Sequence, residues 1–185
     1  DVRSAYNLSI RDDYVGFFNG FASGIFHKTD MKSSQTDAER LKFKDINVAI
    51  DIEGDGHAGQ AVRLITSVAG KGTLNDKAIV GEVLEYIDQI GLSQLIEILV
   101  NANVVSSSVG GTSNENLVSH LYSNIVGSPP SQEDLEWNLN FMRDNNLSQA
   151  QTIELVAGLD ATAASANLTG IQSQGLEYFE FGWSS

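Results

Sequence analysis

The apolar positions change their period once along this chain, near Gly59. Before that point they cluster or alternate; after it they recur about every 3.6 residues. In the first part, DDYVGFF and ASGIFHKTDM are short aromatic runs between glycines, the signature of small strands joined by turns. After the polar segment MKSSQTDAE, Leu41 and Phe43 alternate with Lys42 and Lys44, a half-buried strand. Asp45 marks a turn, and Val48, Ile50 and Ile52 then share one face of a further strand. The opposite face of that strand is also fairly apolar, which predicts a central place in a sheet.

Beyond Gly59 the stripe Ala61, Leu64, Ile65 and Val68 predicts a helix stopped by Gly70 and Gly72. Val80, Val83, Leu84 and Ile87 predict a second, ending near Gly91. Leu95, Ile98 and Leu99 predict a third, with Ser93 as its N-cap. The stretch SSSVGGTSNEN, residues 106–116, reads as a linker, after which the pattern starts again. Leu117, Leu121 and Ile125 form a helix closed by Gly127; SPPS follows; Leu135, Leu139 and Met142 form the next; and LSQAQTIELVAGLDATAASA supplies another. Gly70 and Gly127 lie 57 residues apart, and LSQ at 92–94 returns 55 residues later at 147–149, which together predict an internal repeat.

The fold class expected is therefore α+β and mostly α. A small β module over 1–57 precedes a helical repeat over 58–105, the linker 106–116, a second repeat over 117–170 and a tail over 171–185. The tail, GIQSQGLEYFEFGWSS, is either a last strand returning to the sheet or an exposed docking or export signal.

Composition narrows the function classes. With no Cys in 185 residues, the chain has no disulfide, thiolate zinc site, iron–sulfur cluster or cysteine nucleophile. No run approaches the ~20 apolar residues of a membrane span. The net charge of −13 is unevenly placed: residues 78–185 hold 13 acidic side chains and one basic one, Arg143. Such a surface repels nucleic acid and anionic membranes and attracts cations.

Candidate chemistry is sparse. Asp51, Glu53 and Asp55, followed by Gly56, resemble the first half of a calcium loop: hard oxygens two residues apart, with a Gly that tightens the turn. Val62 stands where a bidentate Glu would close such a loop, so the Ca²⁺ site, if formed, needs ligands from elsewhere, and a solvated acidic turn at a helix start is the competing reading. Gly54, Gly56 and Gly59 give G-x-G-x-x-G between strand and helix, but the acidic loop would repel a pyrophosphate and no parallel βαβ unit follows. His27, His57 and His120 lack metal-ligand spacing, and no G-x-S-x-G elbow is present. Phe18 and Phe21, in the Phe17–Phe26 aromatic run, are candidate ligand-stacking residues for a glycan; the competing reading is the core of a small sheet. Trp137, after SPPS, is expected to anchor a core; were it exposed, it would mark a contact surface.

The segment RLKFKDINVAIDIEGDGHAGQAVRL, with LVSHLYSNIVGSPPS, Trp137 and IQSQGLEY, resembles a helical repeat domain of unknown function in bacterial secreted proteins. That domain is similar to phycobilisome-linker repeats and is common in type I-secreted, RTX-type exoproteins and in surface-layer or adhesin-like proteins. The resemblance covers about residues 38–180. Its first repeat lacks the aromatic-rich loop and the Trp of the second helix, and no G-G-x-G-x-D calcium roll is present. The resemblance implies an extracellular, cell-surface setting and no reaction. The expected function is thus a non-enzymatic structural domain that self-associates or anchors a layer, filament or matrix with calcium assistance; the alternative is a glycan- or small-ligand-binding module.

Overall fold

The computed structural model describes residues 7–11, 14–18 and 23–27 as strand backbone, and residues 39–43, 45–53 and 55–180 with their side chains. The described residues are mostly helical with two small antiparallel sheets. In the first sheet β1 (Asn7–Arg11), β2 (Tyr14–Phe18) and β3 (Ser23–His27) follow one another as a meander. Register runs Leu8 to Phe17 and Val15 to Phe26. The two aromatic runs fall on β2 and β3; β1, with its mixed NLSIR sequence, has no pattern that marks it.

The second sheet consists of β4 (Arg40–Lys42), β5 (Asn47–Ala49) and β6 (Leu176–Tyr178), with β5 in the middle. The twofold apolar character of the 48–52 run is explained by this place: Val48 and Ala49 are fully buried. The tail thus returns as a strand, pairing Leu176 with Ala49 and Tyr178 with Asn47.

Helix α1 (His57–Ala69) is the hub, packing against α2 (Lys77–Ile90), α3 (Leu92–Asn101), α5 (Asn114–Val126), α7 (Gln149–Ala157) and α8 (Asp160–Ser165). Its small residues allow this. Ala58 and Ala61 are fully buried, and a Cβ at Gly59 would collide with the Ile52 carbonyl. One core runs from Ala49 and Ile52 through Leu64, Leu84 and Ile96 to Leu117, Leu121 and Ile153, so residues on both sides of 106–116 share it.

Three local expectations change. Ser93 lies inside α3, whose N-cap is Gly91 at φ 81°. The serine-rich 106–116 stretch is partly helical: α4 (Val104–Val109) is held by buried Val105, and Ser106, Ser107 and Ser108 bond back to the carbonyls of Asn103 and Val104. The helix expected over 147–166 is broken at Gly158–Leu159. There the buried Thr162 hydroxyl donates to the Val156 carbonyl at 2.6 Å, closing α7 and opening α8. A further helix, α9 (Leu168–Gln174), leads into β6. Finally α6 (Gln132–Asp144) starts at Ser131, whose hydroxyl accepts from Asp134 N–H at 3.1 Å.

Candidate functional site

The acidic turn is the first place to look, and its three carboxylates point to different tasks. Asp51 is almost fully buried, with 5 % of its side chain exposed. One oxygen pairs with Arg40; the other accepts the Ala58 amide at 3.1 Å, capping α1 where Gly56 supplies no side chain. Arg40 reaches on to Asp88 at 2.8 and 3.2 Å, and Asp88 meets His57 Nδ1 at 2.6 Å. This chain of charges ties β4, the turn, the start of α1 and the end of α2 together. Glu53 accepts from the Gln172 amide, and the backbone carbonyl of Asp55 accepts from Gln60 at 2.7 Å. Among the described residues no three His, Asp or Glu side chains gather as a metal site. A Cβ at Gly56 would collide with the Asp51 carbonyl, so this glycine is needed for the strand end to fold back on the helix. The glycine-rich loop therefore reads as a structural corner.

The other sequence candidates divide in the same way. Phe18 ends β2, opposite Ser23, and Phe21 lies outside the described residues. His120, half-buried on α5, donates Nε2–H to the Val68 carbonyl at 2.7 Å, while Asn124 donates to the Ser67 carbonyl at 2.9 Å. These two side chains satisfy carbonyls in the last turn of α1, which is a helix-capping task.

The surface that fold stability leaves unexplained lies on the second helical half. A groove of about 240 Å³ opens between α5, α6, α7 and the start of α8. Its walls include Leu121, Ile125, Phe141, Met142, Val156 and Leu159. Val126 on its wall is 56 % exposed, and the apolar surface continues beyond it to Trp137, 64 % exposed. Trp137 stacks on Phe141 with ring centroids 5.6 Å apart and planes within 13°. Trp137 is therefore not the core anchor expected from SPPS but an exposed ring, the condition under which it marks a contact surface.

The polar groups of the groove are occupied locally. Thr152 donates to the Ser148 carbonyl at 2.8 Å, and Asn138 to the Asp134 carbonyl at 2.8 Å. Tyr122 donates to Asp134 at 3.3 Å, and Ser131 to the same carboxylate at 2.7 Å. Ser131's hydrogen bond, above all, holds the Asp134 carboxyl below its usual range; burial, with Asp134 beside it, pushes the Tyr122 phenol up. The groove thus offers apolar area and negative charge at its edge but few free polar groups to orient a small polar ligand.

Sequence reasoning missed this groove as a site, although a signal was present. Trp137 and Phe141 form their own i, i+4 pair on α6 beside the Leu135–Leu139–Met142 stripe, so the helix carries more apolar surface than one core face needs. Among the described residues no helix is long and apolar enough to cross a membrane. No family model matches this chain, and neither a curated protein nor a solved structure matches it.

Proposed function

We propose that this chain is a non-enzymatic association domain whose contact site is the apolar groove between α5, α6, α7 and α8. The observation that carries the reading is the exposed, stacked Trp137–Phe141 pair at the edge of that groove. Aromatic side chains held open to water on a helical frame are what association surfaces use as anchors. The extracellular, cell-surface setting rests on the resemblance of residues 38–180, and the lack of Cys is compatible with it. In this reading α1–α3 and α5–α7 are two copies of a three-helix unit. The first copy lies beside the β6 strand, and the second is left open for a partner, in a layer, filament or matrix. Calcium would act through Glu53 and Asp55, the carboxylates on the exposed turn, since Asp51 is engaged with Arg40 and Ala58.

The test is size-exclusion chromatography with light scattering over a concentration series, in millimolar Ca²⁺ and again in EDTA. The wild type is expected to form higher-mass species that a Trp137→Ser/Phe141→Ser variant does not. A wild type that stays monomeric in both buffers at every concentration removes self-association, and equal behaviour in Ca²⁺ and EDTA removes the ion.

A further inference from the structure

We infer that the groove takes a basic amphipathic helix of another protein chain, with its apolar side chains in the groove and its Lys or Arg residues against the acidic rim. This rests on the reading that the groove is the contact site, and adds the chemistry of what fills it.

Charge is the first argument. The segment 114–165, from α5 through α8, carries seven acidic side chains and a single basic one. That one, Arg143, is paired with Asp144 at 3.2 Å. Two of the acids adjoin the groove: Asp134 accepts from the groove residue Tyr122, and Asp160 stands in sequence between the groove residues Leu159 and Ala161. An isologous contact with a second copy would set two such faces against each other, which like charges disfavour, so a second copy enters the groove only head-to-tail, through a different surface. Nucleic acid and anionic lipid are disfavoured by the same charge. A cationic chain meets the opposite condition, and the open face of Trp137 adds a place for a Lys or Arg to rest.

Shape is the second argument. The groove walls are helices, and helices present no free strand edge, so an incoming strand would find no ladder to extend. A helix needs only apolar area. At about 240 Å³ the groove is larger than the ~150 Å³ that holds one benzene-sized ring, enough for roughly two apolar anchors one turn apart. Val126 and Leu155, on the groove wall, are themselves open to solvent, and with Trp137 beyond the cavity they suit a ligand longer than a small molecule.

The experiment uses the full chain and two fluorescent peptides of one Leu pattern, one with Lys and one with Glu at the polar positions, read by anisotropy. The Lys peptide is expected to bind and to weaken as salt is raised; the Glu peptide is not. Trp137→Ser/Phe141→Ser should weaken the Lys peptide by at least about tenfold, and Asp134→Asn/Asp160→Asn by about threefold, with circular dichroism confirming that each variant is folded. Equal binding of both peptides, or binding that survives Trp137→Ser/Phe141→Ser, overturns the inference. If neither peptide binds, the inference also fails; the association reading then stands only if light scattering still shows oligomers that depend on Trp137.

Discussion

Helices α2 and α6 follow α1 and α5 respectively, are of similar length, and end differently. In α2, Val80, Gly81, Leu84 and Ile87 are all buried, between α1, α3 and the returning strand β6. In α6 only Met142 is buried, and the helix leans chiefly on α5. The difference lies in the cover. Phe179 donates its backbone N–H to the Lys77 carbonyl at 2.9 Å, Glu177 pairs with Lys77 at 2.7 Å, and the chain passes so close to α2 that Gly81 has no room for a Cβ. The position 55 residues on is Glu136, exposed, and no described segment crosses it. Similar apolar stripes therefore become core in one half and surface in the other. What decides between them is whether the chain supplies a segment to lie on top.

The sharpest way to break this comparison is to truncate one leucine on each helix. Leu84 is 1 % exposed, so Leu84→Ala should cost about 3–5 kcal/mol, the range for a fully buried leucine. Leu139, only partly buried, should cost about 1 kcal/mol on the same change. Urea unfolding of the two variants measures both. Equal costs would mean that α6 is as well covered in solution as α2.

A second prediction concerns the charges at the first half. Asp51→Asn removes one partner of a buried pair and weakens the cap on α1. Arg40 keeps Asp88, so the expected loss is near the lower end for such pairs, about 3 kcal/mol. Asp55→Asn, on the same turn but exposed, should stay within about 0.5 kcal/mol. Measured with and without Ca²⁺, the two separate a structural corner from a calcium site: the Asp51→Asn cost should be the same in both buffers, whereas a site on Glu53 and Asp55 would make Asp55→Asn costly in Ca²⁺ alone.

Those two residues show what the sequence could and could not tell. The turn, its glycines and the helix after it were legible, because a strand-to-helix reversal needs small residues wherever they are placed. The inward direction of Asp51 was not, because its partners Arg40 and Ala58 lie on either side in the chain and are brought together only by the fold. The stripes gave the core helices for the same reason: periodicity is a local property, as at Leu64, Leu84 and Leu117. Helix ends satisfied by contacts at a distance, such as His120 and Asn124 on the carbonyls of Val68 and Ser67, left no local mark. The exposure of Trp137 belongs to this second kind, since burial depends on which other segment arrives.

The cover on α2 can also be loosened by pH. Burial pushes the Tyr178 phenol up to about 12. A group whose pKa is raised in the folded state stabilises that state fully below its ordinary value and loses the contribution as pH rises through the raised one. The urea midpoint should therefore fall between about pH 10 and about pH 12, and Tyr178→Phe should flatten that limb. A limb unchanged in Tyr178→Phe would assign it to another group and leave β6 indifferent to alkali.

A small expected effect on stability tests the other half. Trp137 is 64 % exposed and its described ring contact is with Phe141. Trp137→Ser should therefore change the unfolding free energy by no more than about 0.5–1 kcal/mol, the worth of an exposed stacked pair. A residue serving the fold cannot be removed so cheaply, and one serving association can. If Trp137→Ser instead unfolds the domain like Leu84→Ala, the ring is core in solution and the groove is no docking surface. If stability holds while partner binding falls, large aromatic area is kept in water at a position the fold does not require. That combination is the mark of a surface shaped for another chain.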